Sequence, residues 1–183
     1  DESMDEYLIK YIPPPSEEIK ILHIGCGSSD LQFKLRDRGY NLIINIDYSD
    51  VAIQMMKSRQ LEYGILHDDT GMVFEQQDVR DMKIYNDLSF DIIIGKGTFD
   101  SVTSRGDITE KKENAELMLH ECSRILKPNG KFLMYSLFEP EERLYFLEKK
   151  DYKWSVEYTP LNIQPLELPD QQITHMYIMT KNE

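Results

Sequence analysis

A short run rich in branched residues, Ile19 to Ile24, passes straight into Gly25-Cys26-Gly27-Ser28-Ser29-Asp30. The run is too short for a helix and reads as a buried strand. Leu31 and Leu35 then recur at helical spacing, and Gly39 supplies a stop. Strand, glycine turn and helix in that order bring bare backbone amides to a helix start, where nucleotide-type ligands dock. A plain tight turn with glycines at positive φ would give the same letters. The residues that follow must decide between the two.

They repeat the strand-and-helix unit. Leu42 to Ile46 is a second apolar run ending at Asp47, and Ser49 is placed to cap a helix with Ala52, Met55 and Met56 on one face. Met72 to Gln76 is a third strand ending near Asp78, and Phe90 to Ile94 a fourth, closing with GKGTFD. Ser101 to Glu113 lacks hydrophobic periodicity and reads as a polar loop. Ala115, Met118, Leu119, Cys122, Ile125 and Leu126 mark a helix that stops at KPNG, and Lys131 to Leu137 is a fifth strand. Pro140 opens a helix to about Lys150. YKWSVEY and THMYIMT then alternate like strands with a Pro-rich connection between them. Alternating strands and helices predict an α/β domain with a parallel sheet covered on both faces. Lacking a crossover helix, the last two strands should pair antiparallel.

The 183 residues form one domain, 1–183, with an acidic helix and Pro-rich linker at 1–18, a cofactor-binding core at 19–137, and a C-terminal helix and hairpin at 138–183. A first residue of Asp1 in place of Met points to a chain that continues further upstream. No apolar stretch approaches the length of a membrane span. Two cysteines, Cys26 and Cys122, are no disulfide framework, and a reducing cytoplasmic or nuclear setting is expected. The histidines at 23, 67, 120 and 175 show no ligand spacing, so no metal is expected. Thirty-three acids against 21 bases give a formal charge of −12, which disfavours nucleic acid and suits a basic protein or a cationic small molecule.

Asp47 lies 20 residues beyond Gly27, where a carboxylate accepts from ribose hydroxyls in a nicotinamide or an adenosylmethionine site. The dinucleotide fingerprint wants a small residue where this chain has Asp30, whose charge would repel a pyrophosphate. Asp78 can accept from an adenine amino group, Val79 can offer its amide, and Tyr48 can lie against the ring. S-adenosylmethionine carries a sulfonium cation and no phosphate, and the acid-rich set favours it. Lys96 to Asp100 ends the fourth strand and would face the transferable methyl. Asp100 is the candidate for orienting or deprotonating the acceptor, with Thr98 as a polar neighbour. Asp100 could instead cap the following segment, and Lys96 could be an ion-pair partner of Asp78 or Asp100.

With ILHIGCGSS, NIDYSDVAI, QQDVRDM, FDIIIGKGTFDSV and ECSRILKPNGKF in this order, the chain resembles the seven-β-strand class I methyltransferases. Within them it is similar to the branch of translation elongation factor 1-alpha lysine methyltransferases. The resemblance implies a Rossmann-like three-layer sandwich whose mostly parallel sheet ends in a reversed hairpin, the cofactor S-adenosylmethionine, and transfer to a protein lysine. It implies cofactor contacts at Gly25, Asp47, Tyr48, Asp78, Val79 and Lys96, around a turn that includes Cys26 and Gly27. His23 stands where many class I enzymes carry an acid, and DEYLIKYI is short beside the aromatic-rich segment that opens the relatives. Methylation of a small molecule, and a cofactor-binding subunit without catalysis, remain as alternatives. There is no Asn/Asp-Pro-Pro-Tyr motif after the fourth strand, which removes support for methylation of a base's exocyclic nitrogen.

Overall fold

A computed structural model of the chain describes residues 4–66, 71–161 and 174–183. The elements run α1 (Met4–Ile9), β1 (Lys20–Ile24), α2 (Leu31–Asp37), β2 (Leu42–Asp47), α3 (Asp50–Glu62), β3 (Met72–Gln76), β4 (Phe90–Lys96), α4 (Thr98–Val102), α5 (Ile108–Ile125), β5 (Leu126–Ser136), α6 (Pro140–Leu147), β6 (Trp154–Leu161) and β7 (Thr174–Lys181). A single turn of 3₁₀ helix, Lys150–Tyr152, precedes β6. The seven strands form one sheet in the order β3-β2-β1-β4-β5-β7-β6. The first five are parallel, and β7 runs antiparallel to both β5 and β6. This is the expected α/β sandwich with its reversed hairpin. The Pro-rich connection and His67 lie outside the described residues.

Side-chain alternation along the strands builds two cores. Ile21, Ile43, Ile92 and Leu133 face one side, where they pack with Leu8 of α1, Phe33 of α2 and Met56 of α3. Leu22, Ile93, Phe132 and Met179 face the other, with Phe99 of α4, Met118 and Cys122 of α5, and Leu147 of α6. The central strands are apolar on both faces because helices cover both.

Three sequence expectations shift. α3 is capped by Ser49, whose hydroxyl accepts from the Ala52 amide, but its buried face is Ile53, Met56 and Gln60, while Met55 is 41% exposed. α5 begins at Ile108, so half of the expected polar loop is helix. Asp107 and Glu110 close a capping box there, each side chain bonding the other's backbone amide. KPNG lies inside β5 as a register shift against β4, with Asn129 at positive φ and Lys127 paired to Asp91. No helix among the described residues is long and apolar enough to cross a membrane.

His23 sits in the middle of β1 with no exposure, and neither ring nitrogen has a hydrogen-bond partner among the described residues. Burial, and next the nearby Lys96, push its pKa down to about 4. The unfolded imidazole protonates near pH 6.5, so between these values the unfolded chain binds more protons and stability falls as pH drops. Thermal or urea unfolding at pH 7 and pH 5 should therefore show wild type losing about 2 kcal/mol through this group. A His23→Leu variant should lack that part of the loss, and equal losses in both proteins would refute the assignment.

Candidate active site

The four strands β3, β2, β1 and β4 are parallel, so their carboxyl ends share one edge of the sheet. After β1 the chain turns to the face of α2, and after β4 to the face of α4 and α5. The two ends part at the topological switch point, where ligands of open α/β sheets bind. A crevice of about 610 Å³ opens there. Gly25, Gly27, Asp47, Tyr48, Asp78, Val79, Lys96 and Thr98 all line it, from four segments of the chain.

The glycine turn is shaped by two different needs. Gly25 has φ +57°, and a Cβ there would stand 2.5 Å from Thr98 Oγ1. The same hydroxyl donates to the Ile24 carbonyl at 2.8 Å, locking the β4 end to the β1 end. Gly27, at φ +49°, has nothing within 4 Å of where a side chain would begin. Its amide donates to Asp47 Oδ2 at 2.8 Å, and Asp47 Oδ1 accepts from the Ser49 amide at 2.8 Å. Each carboxylate oxygen keeps a lone pair beyond these bonds, so Asp47 can still accept from two vicinal hydroxyls.

Asp78 lies at the next strand end and is held by Arg80. The guanidinium meets both of its oxygens, with Nη2 to Oδ2 at 2.7 Å, and the Arg80 amide donates to Oδ1 at 2.9 Å. The Arg80 side-chain bonds hold the Asp78 carboxyl below its ordinary value, against the opposing effect of burial. Arg80 Nη1 also donates to Asn114 of α5 at 2.8 Å, which ties this side of the crevice to the helix layer. Tyr48 is 73% exposed and its ring is free to be covered by a ligand. Lys96 pairs with neither Asp78 nor Asp100. Its amine meets Asp5 Oδ1 at 2.7 Å, while Lys34 meets Asp5 Oδ2 at 2.6 Å. Burial opposes ionisation of Asp5, but the two lysines outweigh it and its pKa is lowered. Tyr135 donates to the Met4 carbonyl at 2.6 Å, so α1 is fastened against the Lys96 side of the site.

Two residues of the sequence-predicted set stand apart. Cys26 is buried away from the crevice, its thiol pushed up to about 12 by burial and then by Asp47. Asp100 lies within α4, where Gly97 occupies the N-cap, and its carboxylate turns to Ser136, Leu137 and Arg143. Asp30 forms an ion pair with Arg59. The crevice also takes in Arg80, Ser101, Arg105 and Asn114, which sequence reasoning did not name. Arg80 stood inside QQDVRD two residues after Asp78 and was legible there. Asn114 had no local signal.

Comparison with known proteins places this geometry. The eEF1A lysine and N-terminal methyltransferase of Bos taurus is 38% identical over 131 residues, which make up 71% of this chain and 17% of that protein. The mitochondrial citrate synthase-lysine N-methyltransferase of Homo sapiens is 30% identical over 148 residues, covering 75% of this chain and 59% of that protein. The chain thus spans less than two thirds of either relative. A SAM-dependent methyltransferase of Methanosarcina mazei matches in fold with a TM-score of 0.74 over 96% of this chain and 97% of that one, at 17% identity. A family model described as a methyltransferase domain matches residues 15–179, and with the crevice at the switch point it shows that this chain belongs to the methyltransferase-domain family.

Proposed function

We propose that the domain transfers a methyl group from S-adenosylmethionine to a lysine side chain of a protein substrate. The observation that carries this is the meeting of the glycine turn, Asp47 and Asp78 on one crevice at three successive strand ends. The residues fit that cofactor: Asp47 has spare lone pairs for a ribose diol, Asp78 stands at the adenine end with its oxygens held by Arg80 and would have to share them with an adenine amino group, and no side chain at Gly27 blocks the approach. Val79 offers its amide and Tyr48 its ring on the adenine side, and Lys96 borders the acceptor side. When bound, S-adenosylmethionine supplies a methyl group activated by its sulfonium centre.

The protein's task is alignment, with reacting atoms about 3–3.5 Å apart and in line. A lysine acceptor must also arrive neutral, which at pH 7 costs roughly 4.6 kcal/mol from a free pKa of about 10.4. Asp100 does not line the crevice and its carboxylate is directed to Ser136, Leu137 and Arg143, so we assign the deprotonation to removal from water and solvent base. A protein acceptor is supported by the relatives, whose names state lysine methylation of eEF1A and of citrate synthase. The net charge of −12 favours a basic acceptor protein. Two buried free thiols fit a reducing compartment, cytoplasmic with the nucleus as alternative.

Incubation with methyl-labelled S-adenosylmethionine and a cell lysate should label a protein band, with methyl-lysine recovered after acid hydrolysis. Label confined to the small-molecule fraction would overturn the protein acceptor. Micromolar binding of S-adenosylhomocysteine without any transfer would mean a non-catalytic cofactor-binding subunit.

Asp47 gives a second test. Its carboxylate organises the turn and is assigned the ribose, so Asp47→Ala would disturb both. Asp47→Asn keeps an acceptor for one of the two amides, turns a donor toward the other, and removes the charge, so the melting temperature without ligand is measured beside it. Loss of charge-assisted bonds of about 1.5–3 kcal/mol should weaken S-adenosylhomocysteine more than tenfold in calorimetry. Unchanged affinity would leave Asp47 as a turn residue only.

A further inference from the structure

Arg143 of α6 is 5% exposed, yet it is a cation on a surface helix. Its Nη2 donates to Asp100 Oδ1 at 2.9 Å and its Nε to Ser136 Oγ at 2.9 Å. Its guanidinium carbon lies over two rings, 4.0 Å from the centroid of Phe138 and 5.2 Å from that of Phe99. Asp100 completes the cluster by accepting from Ser136 Oγ at 2.7 Å and from the Leu137 amide at 2.9 Å. Four segments meet in these bonds: α4, the end of β5, the turn after it, and α6.

The cluster lies next to the half of the crevice that the cofactor set leaves open. Gly25, Asp47 and Asp78 take the ends of β1, β2 and β3, so the acceptor must enter from the ends of β4 and β5. The wall there is α4, whose Thr98, Ser101 and Val102 line the crevice. α4 has five residues, too few to hold a helical shape by its own hydrogen bonds. It is kept in place by Phe99, fully buried, and by Asp100.

We propose that Arg143 is a positioning residue for methyl transfer: through Asp100 it fixes α4, and with it the acceptor wall of the crevice. The inference rests on the methyltransferase reading given above. A guanidinium is suited to the position, since one planar group bonds both Asp100 and Ser136 while its carbon lies over the two rings, and a lysine ammonium lacks that fixed fork. Arg143 does not line the crevice. Its effect is on the rate at which a bound acceptor meets the methyl group, where misplacement by about 1 Å can cost on the order of 100-fold.

The test compares wild type, Arg143→Gln, Arg143→Lys, Asp100→Asn and the double variant Arg143→Gln with Asp100→Asn. S-adenosylhomocysteine affinity is measured by calorimetry. Transfer of labelled methyl groups to lysate protein is measured per folded molecule from pH 6.5 to 9.5. Arg143→Gln leaves Asp100 buried without its cation, and should that variant fold poorly, the double variant removes both charges and keeps the comparison open.

The expected result is cofactor affinity within about twofold of wild type in every variant, with transfer lowered roughly 10- to 100-fold in Arg143→Gln and Asp100→Asn. Arg143→Lys should be intermediate. The double variant should be no slower than the slower single, because both act through one contact. The pH profile of Asp100→Asn should run parallel to that of wild type. A profile displaced in Asp100→Asn alone would make Asp100 the acceptor's base and overturn the positioning role. Transfer per folded molecule equal to wild type in all variants would overturn it too, leaving the cluster to stability alone. Absence of transfer by wild type would overturn the function itself and this inference with it.

Discussion

The hydroxyl of Thr98, bonded at 2.8 Å to the carbonyl of Ile24, holds the crevice in shape. β1 and β4 are paired up to Ile24 and Gly95 and then lead to opposite faces of the sheet. Without a tie the two ends would be joined only through the ladder behind them. With it, the floor of the site has a fixed width, and the position facing Thr98 must be glycine for reasons of space as well as of φ. The second glycine answers to a different demand, because nothing of the protein stands where its side chain would be. One absent side chain admits the neighbouring strand and the other leaves room for a ligand.

The acidity of the chain is not left bare in the site. Asp47 is met by two backbone amides, Asp78 by Arg80, and Asp5 by two lysines. Hydrogen-bonded carboxylates keep their charge and their direction. The crevice is thereby lined with oriented acceptors, whereas a loose cluster of acids would repel one another and swing toward solvent. α1 takes part through Asp5, so a short helix before the first strand contributes a charge to a wall built by β4.

Much of this was legible in the sequence wherever the signal was local. Apolar runs marked the first five strands and alternation the last two, and the reversed hairpin followed from the missing crossover helix. Asp47 and Asp78 could be found because strand ends in a parallel sheet share an edge. The face of α3 was misjudged by one position, since Met55 is apolar but exposed and Gln60 is polar but buried against the Met72 carbonyl. Nearly two turns at the start of α5 were missed because Ile108 is 86% exposed and gives no periodicity, although Asp107 and Glu110 spelled its cap. The partners of Lys96 and Asp100 were out of reach for another reason. Asp5 lies 91 residues from Lys96 and Arg143 lies 43 from Asp100, and no spacing rule connects residues joined only by tertiary packing.

The place of β7 bears on how the molecule is made. β6 precedes β7 in the chain, yet β7 lies between β5 and β6 in the sheet. While the polypeptide is being synthesised, β6 therefore has no strand to pair with, and β5 presents an open row of amides and carbonyls until residues 174–181 emerge from the ribosome. Such an edge is a template for pairing with other chains. Pairing of these residues closes both gaps at once, so the β5 edge is covered and β6 joins the sheet only when β7 is in place.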